Sequence, residues 1–263
     1  MPFQSKSQKA ISCQLYWLLR ERLEGLRRHG CVIHDAVRFC AVCCLACIEL
    51  ACAPFMIEYE GHRVFNPYYL FYLESEKRDK WQKPNEVLDA LKISKTAMVC
   101  DIGAGGGYFT ERFSIYLGSS GHVYATDVQE VMIQELKERV EDRGLENVEV
   151  LHAAFDDPTL PEASCDLVFF SSVYKEISGR VDYMEKVGKA LRPGGRVAII
   201  EYRPAAVALG PPLDARLRRE EVIEELASAG FVLIEEHNFL PREYFLIFSL
   251  LGHDKAASAQ GGR

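Results

Sequence analysis

The stretch Val99–Thr110, with the sequence VCDIGAGGGYFT, places four glycines within five residues between an apolar run and an amphipathic run. Glycine allows the backbone to turn with a positive φ angle and leaves room for a ligand to approach the main chain. A strand, a tight turn and a helix in this order are typical of parallel sheets, whose ligands bind at the carboxyl ends of the strands. The stretch therefore predicts an α/β fold and places a binding site at this turn.

The spacing of the glycines separates this turn from two other glycine-rich loops. The dinucleotide-binding fingerprint G-x-G-x-x-G, counted from Gly103, requires glycine at position 108, where the sequence has Tyr108. The spacing is G-x-G-x-G instead. No Lys-Ser or Lys-Thr pair follows the glycines, so the P-loop of nucleoside triphosphatases is excluded.

Short apolar runs alternate with amphipathic stretches beyond the turn, as in strands and helices that build a parallel sheet. The last two apolar runs follow one another without a helix, so they must be antiparallel neighbours. We therefore predict an α/β fold with a seven-stranded, Rossmann-like doubly wound sheet and an antiparallel last strand, plus an N-terminal helical appendage. The predicted strands are 97–102, 122–127, 148–153, 166–172, 196–202, 231–237 and 244–250.

The helices between these strands are predicted from apolar residues in helical phase. One of them carries Val181, Met184, Val187 and Leu191 on one face and ends at the sequence RPGG, where proline and paired glycines stop a helix. The other predicted helices are 108–117, 128–145 and the segment REEVIEELASAGF, which Gly230 closes.

Two acidic residues accompany the glycine turn. Asp101 lies inside an apolar strand, so its carboxylate needs hydrogen-bond donors from the turn or from a ligand with an ammonium group. Asp127 ends the second strand, the position where an acid accepts hydrogen bonds from the hydroxyls of a ribose. Together the two carboxylates indicate a nucleoside that carries an amine.

These residues resemble the class I S-adenosylmethionine (SAM)-dependent methyltransferases. The sequences VCDIGAGGGYFT, YATD, DLVFFSS and LRPGGRVAIIEY occur in that family's order, and the resemblance extends over Trp81–Leu250. The segments RDKWQKPNEVLDAL and GPPLDARLRREEVIEELASAGF are similar to those of a bacterial subgroup of small-molecule methyltransferases. The resemblance implies transfer of a methyl group from SAM to a small-molecule acceptor.

The resemblance also implies which residues hold SAM. Gly103, Ala104 and Gly105 are expected along the methionine part and Asp127 at the ribose. Residues 154–156 are expected near the adenine, although the family usually has an acid or an amide where this chain has Ala154. The full predicted cofactor site is Asp101, Gly103, Ala104, Gly105, Gly107, Asp127, Val128, Ala154, Phe155, Asp156 and Ser171.

The sequence SSVYKEIS, after the fourth strand, lies where the family places residues that face the transferable methyl group. Members of the subgroup tend to carry a Tyr-His pair here, whereas this chain has Tyr174 and Lys175. Tyr174 and Glu176 are candidate catalytic residues that orient or deprotonate a nucleophile, and a solvated loop is the alternative. Methyl transfer is a displacement with a good leaving group, so positioning supplies much of the rate and a general base is optional.

The N-terminal part of the chain differs from the rest. Residues 1–38 have a net charge of +4 and the remaining residues −11, and seven of the nine cysteines precede residue 53. Cys40, Cys43, Cys44 and Cys47 share one face of a helix by their spacing, which favours a plain helix over a zinc site, so no metal is expected. We predict a helical leader over 1–71, a methyltransferase domain over 72–252 and a disordered tail over 253–263.

Segment 37–57 also suggests a membrane or signal segment. Its apolar core is shorter than the ~20 residues that span a bilayer. SAM is made in the cytosol, which favours a cytoplasmic body; membrane anchoring or export through this segment is the alternative. Cys100 and Cys165 are expected as reduced, buried thiols.

The expected partner is a small-molecule acceptor, and the net charge of −7 argues against nucleic-acid binding. Two further function hypotheses remain. One is a non-catalytic SAM-binding or membrane-tethered regulatory module, which turnover of SAM excludes. The other is a Rossmann-type NAD(P) oxidoreductase, which binding of NAD establishes. The sequence does not predict an oligomeric state.

Overall fold

The chain divides into two compact units, Met1–Pro54 and Phe55–Arg263. The computed structural model describes residues 55–75, 77–205 and 210–252, all within the second unit. The cysteine-rich stretch 40–47, most of segment 37–57 and the tail 253–263 lie outside the described residues. Within the described part, no helix is long and apolar enough to cross a membrane.

The main sheet has seven strands in the order β5-β4-β3-β6-β7-β9-β8, and a separate two-stranded hairpin of β1 and β2 precedes it. All neighbouring strands are parallel except at β9, which runs antiparallel to both β7 and β8. The predicted sheet and its antiparallel last strand are confirmed. The strands are β1 Met56–Tyr59, β2 His62–Phe65, β3 Met98–Ile102, β4 His122–Asp127, β5 Val148–His152, β6 Cys165–Ser171, β7 Leu191–Tyr202, β8 Phe231–His237 and β9 Glu243–Leu250.

Helices cover both faces of the sheet. β6 shows why its sequence is continuously apolar: Leu167 and Phe169 belong to one buried cluster, and Val168 and Phe170 belong to the cluster on the opposite face. The helices are α1 Leu70–Leu73, α2 Asp79–Gln82, α3 Pro84–Leu91, α4 Tyr108–Leu117, α5 Glu130–Arg143, α6 Arg180–Ala190 and α7 Arg219–Ser228, with short 3-10 turns at Pro67–Tyr69, Gly118–Ser120, Tyr174–Glu176 and Leu213–Ala215.

The junction of α6 and β7 differs from the sequence prediction. Leu191 was expected on the helix, with RPGG as the stop, but α6 ends at Ala190 and Leu191 begins the strand. The reason is strand pairing: Leu191 pairs with Cys165, and the register then shifts before Leu167 pairs with Arg196. The glycines of RPGG therefore belong to an irregular stretch of strand rather than to a separate turn.

The β1–β2 hairpin lies in a region that the sequence analysis assigns to the helical leader. Its strands pair in antiparallel register, and Glu60 and Gly61 form its turn with φ angles of +51° and +85°. The backbone of Phe65 joins it to the carboxyl ends of the main strands, because its N–H donates to Glu176 at 2.9 Å and its carbonyl accepts from Gln129 at 3.2 Å. The hairpin therefore belongs to the edge of the sheet where ligands bind.

Cys100 and Cys165 form a disulfide, with their Cα atoms 6.1 Å apart, so the expectation of reduced thiols is wrong for this pair. Both residues lie in the same buried cluster, on one face of the neighbouring strands β3 and β6. Apolar surroundings predicted their burial correctly. The sequence did not predict that strand pairing brings the two sulfurs together.

Candidate functional site

A cleft lies at the carboxyl ends of the parallel strands, with about 1020 Å³ of empty space when the part open to solvent is counted. Doubly wound sheets bind their ligands at this edge. Residues from the hairpin, from α2 and from the loops after β3, β4, β5 and β6 line the cleft. Of the predicted site residues, those that line it are Gly103, Gly105, Asp127, Val128, Ala154, Phe155, Ser171 and Glu176.

Asp127, at the end of β4, joins two turns. One oxygen of its carboxylate accepts the N–H of Gly105 at 3.0 Å, and the other accepts the N–H of Gln129 at 2.9 Å. Burial raises the pKa of Asp127 to about 6, against the effect of these backbone hydrogen bonds. Because a carboxylate oxygen can accept two hydrogen bonds, the group retains acceptor capacity toward the cleft.

The glycine turn presents bare backbone to the cleft. Gly103 and Gly105 have φ angles of +64° and +57°, a region that favours glycine. A Cβ atom at Gly103 would lie 2.3 Å from a methyl carbon of Val173, whereas a Cβ atom at Gly105 would meet no atom within 4 Å. Gly103 is therefore required by packing, whereas the space beside Gly105 is open.

Asp101 lies beneath the turn and is not among the residues that line the cleft. Its carboxylate accepts the hydroxyl of Thr110, in α4, at 2.6 Å. Burial raises the pKa of Asp101 to about 7, although the hydrogen bond from Thr110 and the charge of Arg78 act in the opposite direction. The donor that offsets the burial of Asp101 is thus the side chain of Thr110 rather than the glycine turn. This hydrogen bond connects β3 to α4.

Four more predicted site residues, Ala104, Gly107, Asp156 and Tyr174, lie outside the cleft lining. The N–H of Ala104 donates to the carbonyl of Thr126 at 2.9 Å. A Cβ at Gly107 would be 2.7 Å from Leu136, so this glycine permits close packing of α5. The side chain of Asp156 is 87% exposed.

Tyr174 is fully buried in the core instead of facing the cleft. Its hydroxyl donates to Glu225 at 2.9 Å, and burial raises the pKa of this hydroxyl above its usual value. This placement argues against contact with an acceptor. Glu176, the other catalytic candidate, does line the cleft, and its carboxylate contacts Lys175 at 3.2 Å.

Sequence reasoning missed Arg78, a cation that is only 7% exposed and lines the cleft. Its guanidinium donates to the side-chain oxygen of Gln82 and to the carbonyl of Leu73, each at 3.1 Å. It also lies 3.7 Å from the ring centroid of Tyr108, the first residue after the glycine turn. Burial lowers the pKa of Arg78. A single arginine at the N-cap of a four-residue helix gives no periodic signal that would have identified it.

Buried carboxylates lie behind the lining on the β6 and β7 side. Glu243 accepts from the amide nitrogen of Gln82 at 2.9 Å and from the hydroxyl of Ser172 at 3.1 Å, and burial raises its pKa to about 7. Glu201 is likewise fully buried, and burial raises its pKa. The ammonium group of Lys175 lies 3.8 Å from Glu201 and also contacts the carbonyl of Ser172.

Two aromatic rings form a wall beside these polar groups. Trp81 and Tyr202 are 6% and 3% exposed, and their ring centroids are 5.9 Å apart. Both line the cleft. At the opposite end, His62 of the hairpin stacks on Phe155 with centroids 3.8 Å apart. Among the described residues, no group of three or more His, Cys, Asp or Glu side chains is arranged to hold a metal ion.

The raised pKa of Asp101 predicts an effect of pH on stability. Its folded-state pKa of about 7 exceeds the reference value of 3.8, so the folded chain loses stability as pH rises between these values. Asp101→Asn keeps an oxygen for Thr110 but does not ionise. We measure the free energy of unfolding of Asp101→Asn and of wild type by urea denaturation. As pH rises from about 5 to about 7.5, the value for the variant should increase relative to that for wild type by at least about 1.4 kcal/mol, the equivalent of one pKa unit. Asp89, an exposed residue of α3, supplies the control Asp89→Asn. If wild type and Asp101→Asn show the same pH dependence of stability, the raised pKa of Asp101 is contradicted.

Known proteins resemble this chain in sequence and in fold. A family model for a methyltransferase domain matches residues 93–237, more than half of the chain. The ubiquinone/menaquinone biosynthesis C-methyltransferase UbiE of Azotobacter vinelandii is 29% identical over 119 residues, covering 44% of this chain and 47% of that protein. The demethylmenaquinone methyltransferase of Listeria welshimeri is 26% identical over 122 residues, covering 46% of this chain and 51% of that protein. The chain thus spans about half the length of these curated relatives.

A solved structure of a SAM-dependent methyltransferase from Aquifex aeolicus resembles this chain with a TM-score of 0.68 and 27% identity, covering 71% of this chain and 100% of that one. The family match and this shared fold agree with the family and the fold that the sequence motifs predict. The chain therefore belongs to the methyltransferase domain family, and its fold is that of the class I SAM-dependent methyltransferases.

Proposed function

We propose that this chain transfers the methyl group of SAM to a small aromatic acceptor, with the cofactor on the β3–β5 side of the cleft and the acceptor on the β6–β7 side. The observation that carries the proposal is the pair formed by Asp127 and the open backbone of Gly105. An acid with spare acceptor capacity beside bare backbone fits a nucleoside whose hydroxyls donate hydrogen bonds.

The residues of the cleft fit the parts of SAM. Asp127 accepts the ribose hydroxyls, and Gly103 and Gly105 lie along the methionine part. Ala154 and Phe155 flank the adenine, and Val128 and Ser171 complete the cofactor side. When bound, SAM supplies an electrophilic methyl group on a sulfonium.

Arg78 binds the carboxylate of the methionine part. Its planar guanidinium forms paired, charge-assisted hydrogen bonds with carboxylates, and it is already held in place by Gln82 and by the ring of Tyr108. Asp101 then acts through Thr110, which fixes the helix that follows the glycine turn. Its role in binding is to position the turn.

The acceptor occupies the side lined by Trp81, Gln82, Ser172, Lys175 and Tyr202. The relatives are named as a ubiquinone/menaquinone biosynthesis C-methyltransferase and a demethylmenaquinone methyltransferase. Two buried aromatic rings suit a flat ring such as that of a quinone. Tight packing of the acceptor against these rings excludes water and aligns it for an in-line displacement.

We also propose that the catalytic domain begins at Phe55. It acts in the cytoplasm, because SAM is made there. Neither nucleic acid nor a bound metal ion takes part in the reaction. A non-catalytic SAM-binding module is the second candidate. Formation of S-adenosylhomocysteine (SAH) together with a methylated product separates the two.

Asp127 provides the first test of the cofactor site. Asp127→Ala should weaken binding of SAM and SAH by about tenfold to a hundredfold, or roughly 1.5 to 3 kcal/mol, because the ribose hydroxyls lose a buried, charged partner. Calorimetric titration of the folded variant with SAM, SAH and NAD measures this. Asp142→Ala is the matched control, since that residue is exposed on α5 and is not among the residues that line the cleft. Unchanged affinity in Asp127→Ala, or binding of NAD in preference to SAM, would refute the assignment.

The two glycines should respond differently to alanine. Gly105→Ala places a Cβ in the open cleft, so we expect a folded protein, less stable by about 1–2 kcal/mol for its left-handed backbone, that binds SAH at least about tenfold more weakly. Gly103→Ala brings a Cβ against Val173 and should destabilise the fold further. Urea unfolding and calorimetry distinguish these effects. A Gly105→Ala protein with wild-type affinity would show that nothing approaches this backbone.

The hairpin can be tested by truncation. Removal of residues 1–54 should leave SAH affinity within about twofold of the full chain. Removal of residues 1–71 also takes away Phe55, Val64 and Phe65, which line the cleft. That shorter protein should lose at least about tenfold in affinity, about 1.4 kcal/mol. Equal binding by both truncated proteins would place the domain boundary near Tyr72 instead.

A further inference from the structure

Glu243 is a buried acid that the proposed function does not use. Its side chain is fully buried, and none of the ion pairs among the described residues includes it. It begins β9, and because β9 is antiparallel its amino end lies at the carboxyl ends of the parallel strands, beside the cleft. Burying a carboxylate is costly unless hydrogen bonds stabilise it. The arrangement of those hydrogen bonds therefore indicates what the acid does.

A chain of hydrogen bonds fixes the direction of each proton around Glu243. Arg78 only donates, so the side-chain oxygen of Gln82 accepts from it, and the amide nitrogen of Gln82 then points at Glu243. The ionised Glu243 carboxylate only accepts. Ser172, 3.1 Å from it, must therefore direct its single hydroxyl proton at the carboxylate.

Ser172 consequently faces the cleft as a hydrogen-bond acceptor. It lines the cleft, and with its proton committed to Glu243 its oxygen offers only lone pairs to a ligand. Its φ angle of +62° is unusual for serine, and its N–H, which donates to Ile200 at 2.8 Å, holds it at the end of β6. Strained backbone of this kind persists where the surrounding structure enforces it, as at functional sites.

The aromatic wall stands next to this serine. Tyr202 is the cross-strand partner of Glu243, and Trp81 precedes Gln82 in α2. A flat ring placed against Trp81 and Tyr202 therefore has its edge near the group that Glu243 polarises. A ring substituent that donates a hydrogen bond can pair with the hydroxyl oxygen of Ser172. A substituent that only accepts hydrogen bonds leaves that oxygen without a donor.

We propose that Ser172, polarised by Glu243, binds the acceptor and takes its proton, and that the pair selects an acceptor ring that carries an uncharged hydroxyl group. This inference rests on the proposed function and names the acceptor chemistry of the same cleft. Ser172 touches the acceptor and is the catalytic residue, whereas Glu243 acts through it and is a positioning residue.

The proton transfer balances within these groups. As the O–H bond of the acceptor breaks, its proton forms a bond with the oxygen of Ser172, and the proton of Ser172 passes to the Glu243 carboxylate. The electron pair of the broken bond stays on the acceptor. It makes the oxygen, or a ring carbon conjugated with it, the nucleophile toward the methyl group.

The same pair should make acceptor binding sensitive to pH. The charged and titratable groups that face Glu243 are Arg78, Lys175, Glu201 and Tyr202. Burial raises the pKa of Glu243 to about 7, with the positive charge of Arg78 opposing the shift. Below that pH a protonated Glu243 donates to Ser172, whose own proton then turns toward the cleft. The preference for a hydroxyl donor should therefore be present above about pH 7 and lost below about pH 6.

A matched pair of probes tests the inference without knowledge of the natural acceptor. Calorimetric titration of the full chain, saturated with SAH, compares 1-naphthol with 1-methoxynaphthalene at about pH 8. The two rings are the same size, and only the first donates a hydrogen bond. We expect 1-naphthol to bind at least about tenfold more tightly, because the methoxy compound leaves a buried acceptor unpaired.

Two variants should remove this preference. In Glu243→Gln the new amide nitrogen donates to Ser172, which then turns its proton toward the cleft, so the ratio of affinities should fall below about threefold. Ser172→Ala should have the same effect. Glu235→Gln is the matched control, because that glutamate lies on β8 and pairs with Lys92, and it should keep the full preference.

Three results would overturn the inference: absence of 1-naphthol binding, equal binding of the two probes by wild type, or an unchanged preference in Glu243→Gln. SAH is first titrated alone into the protein, so that a failure of the proposed function is distinguished from a failure of this inference. A protein that does not bind SAH contradicts the proposed function. A protein that binds SAH but does not prefer 1-naphthol contradicts only the role of Ser172 and Glu243.

Discussion

The carboxylate of Asp127 is the interaction on which the site depends. By accepting the N–H groups of Gly105 and Gln129, it ties the turn after β3 to the start of α5. Two parallel strands and their following helices are thereby fixed relative to each other at the edge where ligands bind. The same carboxylate keeps acceptor capacity toward the cleft, so in the proposed function one residue both shapes the cofactor side and supplies its polar contact.

Buried charge extends along this edge of the sheet. Asp101, Asp127, Glu201 and Glu243 are all buried, and burial raises the pKa of each. A fold tolerates such groups only where hydrogen bonds and cations offset their desolvation. In this chain the donors come from backbone, hydroxyl and amide groups. Because these groups are fixed in place, they preorganise the cleft before a ligand arrives.

The sequence predicted what depends on local pattern. Strand and helix periodicity gave the seven strands, and the glycine spacing located the turn. It missed what depends on distant segments meeting. Arg78 caps a four-residue helix and Gln82 ends it, while Glu243 begins the last strand. Tyr174 was selected as a candidate from its position in the sequence SSVYKEIS. Its sequence neighbours line the cleft, but its own side chain is buried in the core. The hairpin 56–65 was missed because its strands are short and follow an apolar stretch.

A crystal structure of the protein with bound SAH tests the central claim most directly. The account predicts that both ribose hydroxyls lie about 2.7 Å from the oxygens of Asp127, with the carboxylate of the homocysteine part against Arg78 and its chain along Gly105. A nucleoside bound outside the cleft, or inside it with the ribose turned away from Asp127, would contradict the account. In that case the carboxylate would serve the glycine turn alone.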